Sequence, residues 1–506
     1  MTDASTSTTG PATIDPRTPV IVGAGQFTHR AASIADAYEP AALIEFAVRA
    51  AADDAGLDGP PEVDALRVVC QYSWRYGNLP RFVAARLGID PHLQYTTEGG
   101  NTPQWLLNAT AADIQRGDLD IAVLAGGEAF RTRMRARKEG VELPWPKSPE
   151  GDEPELIGSG LKIVTEAESE LGLWMPVQFY PMFETALRAA AGRDVESHQA
   201  HLGQLWSGLS TVASNNPYAW LREERTPEDI TAVGPQNRMI GLPYPKLMNS
   251  NNDVDMAAAL IVCSAEAAER LGIPRDRWVF PLAGADCHEH IAVSVRDRLD
   301  RTPAIEIGGR AALELAGLGI DDVGLIDLYS CFPSAVQLGA SSLGIATDDP
   351  LRPWSRTGGL SFAGGPWHNY VMHAIATIVG ELRDRPGERG FVWGNGGLVT
   401  KHSFGVYGTE PPRGGFRLAD PQPEIDRLPR RDVADGAAAA GAATIESYTV
   451  MFDRDGSPER AFATCRLADD RRAWGAADDA DTIGALSTGE WVGQTVTLDD
   501  TRTLHV

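Results

Sequence analysis

Cysteine is scarce in this chain: Cys70, Cys263, Cys287, Cys331 and Cys465 are spread over 506 residues with no C-x-x-C pair. An odd, scattered set excludes a disulfide framework, argues against a cysteine-rich zinc site and fits a reducing compartment. Positive charge is in deficit, 45 Lys+Arg against 69 Asp+Glu for a net charge of −24, so a phosphate backbone is repelled and no nucleic-acid partner is expected. Long apolar runs are missing too. The longest, such as Ala257 to Cys263, fall far short of the ~20 residues of a membrane span, so no membrane partner is expected. Met1 to Pro16 is rich in Thr, Ser and Asp, with neither a basic n-region nor an apolar h-region, and a cytoplasmic location is the reading. With 52 Gly and 34 Pro the chain is too poor in both for low complexity, and 43% hydrophobic residues exclude wholesale disorder.

What is present is a regular alternation of short apolar β runs with amphipathic helices from about Thr18, the pattern of α/β layering. Pro19-Val-Ile-Val-Gly-Ala-Gly reads as a buried strand; helices are expected over Pro40 to Ala55 and Pro80 to Leu87, and strands over Ala65 to Tyr72 and Leu93 to Glu98. Gly99-Gly100, a helix to Arg116 and a strand over Asp120 to Gly127 then recur as Gly364-Gly365, a helix to Leu382 and a strand over Gly390 to Gly397. The repeat predicts a duplicated core with two helix N-termini facing one cleft. The stretch from about Phe130 to Met248, rich in Trp, Pro and Arg, reads as a large insertion over one face. After Gly408 the composition shifts, and alternating segments at Ala443 to Phe452, Arg460 to Leu467 and Glu490 to Leu498 predict a small β-rich module. The expected boundaries are 18–130 and 251–275 for the first half, 131–250 for the insertion, 276–409 for the second half and 418–506 for the added module.

Two tempting motifs fail. Gly23-Ala24-Gly25 does not complete G-x-G-x-x-G, because Thr28 stands at the third glycine position. Cys287-His288-Glu289-His290 places neighbouring ligands on opposite faces of one strand, so no metal is expected there.

The duplicated halves, the paired glycine-started helices, Asp253-Val-Asp-Met-Ala-Ala-Ala-Leu-Ile-Val-Cys-Ser, Leu328-Tyr-Ser-Cys-Phe and Gly358-Gly-Leu-Ser-Phe-Ala-Gly-Gly-Pro together resemble the thiolase superfamily over roughly Pro19 to Gly408. With the added tail the chain is similar to the thiolase-like protein type 1 and acetyl-CoA acetyltransferase-like members. The resemblance implies the thiolase fold: two βαβαβαββ halves layered α-β-α-β-α, an inserted loop domain and an OB-like C-terminal domain. It also implies coenzyme A or an acyl-CoA as ligand, acyltransferase chemistry in lipid or sterol side-chain metabolism, and a homodimer through Leu93 to Glu98 or else a monomer.

In such enzymes a cysteine at the first buried helix attacks a thioester, activated by the helix terminus and a Gly-His-Pro histidine. The matching positions here are Gly100 and Gly365, and neither carries a reactive group. Candidates that remain for catalysis are Tyr329, His368, Cys331 and His402. Candidates for holding the substrate are Gly100, Asn101, Gly364, Gly365, Asn395 and Gly396, with Arg131 and Arg135 of the dense basic run for phosphates. Three functions stay open: an acyl-CoA-handling acyltransferase relative, a retro-aldolase on β-hydroxyacyl-CoA using tyrosines, and a non-catalytic CoA-binding scaffold whose C-terminal domain recruits a protein partner.

Overall fold

A computed structural model describes residues 14–349 and 351–506, so most of the Met1 to Pro16 segment lies outside the described residues. The first half runs β1 (Pro19–Thr28), α1 (Pro40–Asp54), β2 (Ala65–Val68), α2 (Leu79–Leu87), β3 (His92–Thr96), α3 (Thr102–Arg116) and β4 (Ile121–Ala129). Local chemistry sets these limits. Proline stands in the first turn of α1, α2 and α3, where its missing N–H leaves no bond unmade. The Asn78 side chain caps α2 by accepting the Arg81 N–H at 3.2 Å.

The insertion carries α4 (Phe130–Glu139), β5 (Glu155–Ile157), α5 (Glu166–Glu170), α6 (Pro176–Ala190), α7 (Val195–Asn215), α8 (Pro227–Thr231), β6 (Met239–Gly241) and β7 (Tyr244–Pro245), before β8 (Asp255–Ser264) and α9 (Ala265–Arg270) complete the first half. The second half is β9 (Phe280–His288), α10 (Pro303–Ala316), β10 (Leu325–Leu328), α11 (Pro333–Leu343), α12 (Tyr370–Asp384), β11 (Arg389–Gly396) and β12 (Lys401–Gly408). The tail adds β13 (Arg417–Ala419), α13 (Gln422–Ile425), β14 (Gly441–Phe452), β15 (Pro458–Leu467), β16 (Arg472–Ala477), α14 (Ala480–Thr488), β17 (Thr495–Leu498) and β18 (Leu504–His505).

Sheet order displays the duplication. Neighbours β2-β4-β8-β1 in one sheet correspond to β10-β11-β12-β9 in the other. In each set the first pair is parallel and the next two pairs are antiparallel. Helices α3 and α12 lie between the two sheets: α3 packs on β9, β11 and β12 as well as β4, and α12 on β1 and β8 as well as β11. With α1 and α2 outside the first sheet and α10 and α11 outside the second, the body is layered α-β-α-β-α.

Several expectations need correction. The first-sheet strand expected over Leu93 to Glu98 is β3, which ends at Thr96, and its outer edge is hydrogen-bonded to β5 through Gln94↔Glu155 and Thr96↔Ile157. The edge on which a dimer was expected is therefore closed by the chain's own insertion. Pro366 does not open a helix; a 3-10 turn over Trp367–Asn369 intervenes and α12 starts at Tyr370.

Insertion and tail are both built into the body. Glu184 on α6, with no solvent exposure, accepts from the Tyr244 hydroxyl at 2.6 Å, Gln337 Nε2 at 2.8 Å and His198 Nε2 at 2.6 Å, tying α6, α7 and β7 to α11. A buried carboxylate is tolerated only when so partnered, and breaking such a set costs about 3–5 kcal/mol. The tail sheet, β16-β15-β14-β17-β18, is joined by β6 of the insertion through Met451↔Gly241. β13, at the start of the expected module, pairs instead with β9 and extends the second body sheet. Phe462 and Trp474 belong to the main core, while Ile445, Val450 and Leu486 form a smaller core of the tail's own.

Candidate active site

The first glycine pair leads into α3 in the middle layer, where Gly99 and Gly100 are both buried. A Cβ on residue 100 would lie well inside van der Waals contact with the Tyr329 hydroxyl oxygen and the Asn395 carbonyl. The place where the resemblance puts a nucleophile is thus filled from the opposite half, by a tyrosine delivered just past the end of β10. Burial, with Cys331 beside it, holds the Tyr329 phenol well above its ordinary pKa, so it is a proton donor and not a phenolate.

Tyr180 of α6 is the site residue that sequence reasoning missed. Its hydroxyl accepts from Asn395 Nδ2 at 2.9 Å and the Val399 N–H at 3.2 Å, and donates to the Gly397 carbonyl at 3.2 Å. Its ring stacks on Phe332 with centroids 4.4 Å apart. The Cys331 thiol lies near the Tyr180 hydroxyl, and burial pushes its pKa up to about 12. A thiol so placed stays protonated and is a poor nucleophile.

His368, in the turn before α12, accepts the Gly99 N–H on Nδ1 at 3.2 Å, which leaves the proton on Nε2. That Nε2 is enclosed without a partner among the described residues, and burial lowers the ring's pKa to about 3, so the imidazole is neutral. Asn101 donates Nδ2 to Ser403 Oγ at 3.1 Å, while its Oδ1 and that of Asn395 have no partner among the described residues. Gly396 approaches Asn101 so closely that a Cβ there would overlap its Oδ1. Gly364 has φ +113 and a Cβ there would meet Met256 Sδ at 2.6 Å; one on Gly365 would face Asn252 Oδ1 at 2.9 Å.

The structure therefore brings Gly100, Tyr329 and Asn395 into contact, joins Cys331 to them through Tyr180, and sets His368 on Gly99. It does not bring His402 there. That ring is fully buried beside Trp393 and Phe404, on the face of the second sheet turned to α10 and α11, with Nδ1 accepting from Trp393 Nε1 at 3.3 Å. Arg131 and Arg135 are engaged elsewhere, Arg131 with Asp253 at 3.1 Å and Arg135 with Glu139 at 2.9 Å and the Ala32 carbonyl. The basic residue of α4 that reaches the open cleft beside α3 is Arg133.

Two matching α/β halves stacked about a pair of buried helices, with the chemistry at the start of the first, define a body of the thiolase superfamily. Comparison with known proteins agrees. Residues 420–503 match the family model described as "Thiolase-like protein type 1 additional C-terminal domain". The crystal structure of a monomeric SCP2-thiolase-like protein type 1 from Mycobacterium smegmatis is 33% identical, covers 96% of this chain and 98% of its own, and superposes with a TM-score of 0.81. The chain belongs to this SCP2-thiolase-like protein type 1 family.

An acetyl-CoA acetyltransferase of Methanothermobacter thermautotrophicus is 27% identical over 219 residues, 38% of this chain and 54% of that protein. The chain thus spans about half the length of that curated relative. The Ltp2–ChsH2(DUF35) aldolase, 22% identical over 78% of this chain and 99% of its own at a TM-score of 0.59, shares the fold.

Proposed function

We propose that this protein handles acyl-CoA thioesters without forming an acyl-enzyme at the start of α3. The observation that carries the reading is the Tyr329 hydroxyl standing where a side chain of residue 100 would be, in a site with no activated nucleophile. A protonated phenol can donate a hydrogen bond to a thioester oxygen or pass a proton, but it does not accept an acyl group readily. Support for a CoA ligand comes from the family and from the name of the acetyltransferase relative. A role in lipid or sterol side-chain metabolism belongs to the same reading. A monomer is supported by the β3 edge closed by β5, and a cytoplasmic location by five free cysteines.

The test is a calorimetric titration of the purified protein with acetyl-CoA and with free CoA. Micromolar binding of acetyl-CoA, weakened several-fold in Tyr329→Phe, is expected. Absence of binding to either ligand would leave a likeness of fold alone.

A second reading is favoured by Tyr180, a second buried phenol near Tyr329: both are held protonated, so in a retro-aldol reaction they serve as donors to the developing enolate and not as the base. In that reaction a base takes the β-hydroxyl proton of a β-hydroxyacyl-CoA and the Cα–Cβ bond breaks. The electron pair passes to the thioester enolate, and the enolate takes a proton to give a shorter acyl-CoA beside an aldehyde or ketone. The aldolase neighbour of similar fold supports this reading. Release of a carbonyl product from β-hydroxyacyl-CoA substrates would select it over binding alone.

A further inference from the structure

A cleft of about 590 Å³ opens one residue away from the glycine pair and is used by neither reading above. Its size lies within the ~300–1,000 Å³ of small-molecule sites. Tyr72, Trp74, Phe130 and Trp367 wall it, with Tyr72 and Trp367 edge to face at 5.0 Å.

The loop that carries Tyr72 and Trp74 is held by side chains at nearly every backbone donor. Glu128, with no solvent exposure, accepts the Tyr72 N–H at 2.7 Å and the Ser73 N–H at 2.8 Å. Gln71 accepts the Trp74 N–H at 2.9 Å, and the Tyr95 hydroxyl accepts the Gln71 N–H at 2.8 Å. Burying a carboxylate is costly, and here it serves only to fix the wall of a cleft. Such supporting contacts behind an open surface are what a pre-formed binding site requires.

The charges in the cleft do not cancel. Glu98 faces the Lys401 ammonium and the Tyr72 hydroxyl. Arg133 gives one N–H to the Tyr72 carbonyl at 2.6 Å and leans on Phe130, while Arg75 lines the rim. Neither guanidinium makes a salt bridge among the described residues; Arg133 is offset in part by the buried Glu128 behind the loop, while Lys147 adds a further positive charge over the Trp74 ring, in a chain whose net charge is −24. An excess of positive charge beside aromatic faces, on an acidic protein, selects an anion that brings its own apolar surface.

We propose that this cleft binds a small organic anion with a flat, multi-ring apolar body, the body lying against Tyr72, Trp74 and Trp367 and its carboxylate on Arg133 and Arg75. The site is independent of the acyl-CoA reading, because nothing in it requires a thioester or a nucleotide.

The probe is pyrene-1-carboxylate, compared with the neutral pyrenemethanol, followed by quenching of tryptophan fluorescence in the full-length protein. The carboxylate saturates and binds at least about tenfold more tightly than the alcohol, the difference a charge-assisted contact supplies. Arg133→Gln abolishes that difference, and Trp367→Leu weakens both probes. Arg131→Gln, on the same helix but paired with Asp253, leaves both unchanged and controls for loss of charge alone. Equal affinity for the two probes, an unaltered Arg133→Gln variant, or quenching that never saturates would each overturn the proposal.

Discussion

Replacing Arg472 with alanine is expected to loosen the C-terminal domain from the body at a cost of about 3–5 kcal/mol, the usual result of stripping one partner from a buried charge pair. The Arg472 side chain has no solvent exposure, and its Nε and Nη2 hold both oxygens of Glu446 at 2.7 and 2.8 Å. The remaining nitrogen reaches across the domain boundary, donating to the carbonyls of Ser294 at 2.9 Å and of Arg296. Arg296 in turn gives Nη1 to the Leu398 carbonyl at 2.8 Å and Nη2 to Thr400 Oγ1 at 2.9 Å. Those residues form the loop that follows Asn395 and Gly396 and is anchored on Tyr180.

The expected observation is therefore a loss of amide-exchange protection in β14 to β18 and also over residues 396–400, while α1 and β8 keep theirs. Arg472→Lys retains the charge but loses the two-pronged grip on Glu446, and an intermediate loss is expected. A variant with wild-type protection in both regions would mean that β6 and the Phe462 and Trp474 contacts hold the domain unaided.

Restoring a cysteine by Gly100→Cys is expected to cost stability and yield no thiolase activity. The new Cβ meets a backbone carbonyl of β11, which cannot withdraw, and the Tyr329 hydroxyl, which is enclosed. Overpacking of this kind costs about 1–3 kcal/mol. Gly100→Cys with Tyr329→Ala removes only the clash with the hydroxyl, because the Asn395 carbonyl stays in place and the lost ring leaves a cavity, so the double variant is no more stable than the single one. It also remains inactive in acetyl transfer, since Gly365 leaves the thiol without its histidine. Chemical denaturation of the single and double variants measures the first part, and release of CoA from acetyl-CoA the second. A stable, active single variant would show that the Tyr329 side chain moves aside freely.

These two sites also mark where sequence reasoning reached its limit. The paired glycines before helices exposed the duplication, because a glycine pair against a 3.6-residue period is a strong local signal, and the resemblance to thiolases then pointed to residue 100. The 3.6-residue period also set α1 and α2 within one residue of their observed ends. What escaped were contacts between distant segments. Tyr180 meets Asn395 across 215 residues and looks, in sequence, like one more aromatic in an amphipathic helix. The two- and three-residue strands β5, β6 and β7 are too short to show alternation, yet β5 closes the first sheet's edge and β6 joins the tail. Glu128, within a run of buried strand residues, gives no sign of the loop it anchors. Such features are set by tertiary packing.

The central claim is that the thiolase position has been filled and takes no acyl group. Intact-mass spectrometry after incubation with saturating acetyl-CoA and rapid denaturation tests it most directly. The account predicts a protein of unchanged mass and no free CoA. A protein carrying one acetyl group, on Cys331 or any other of the five cysteines, would contradict it.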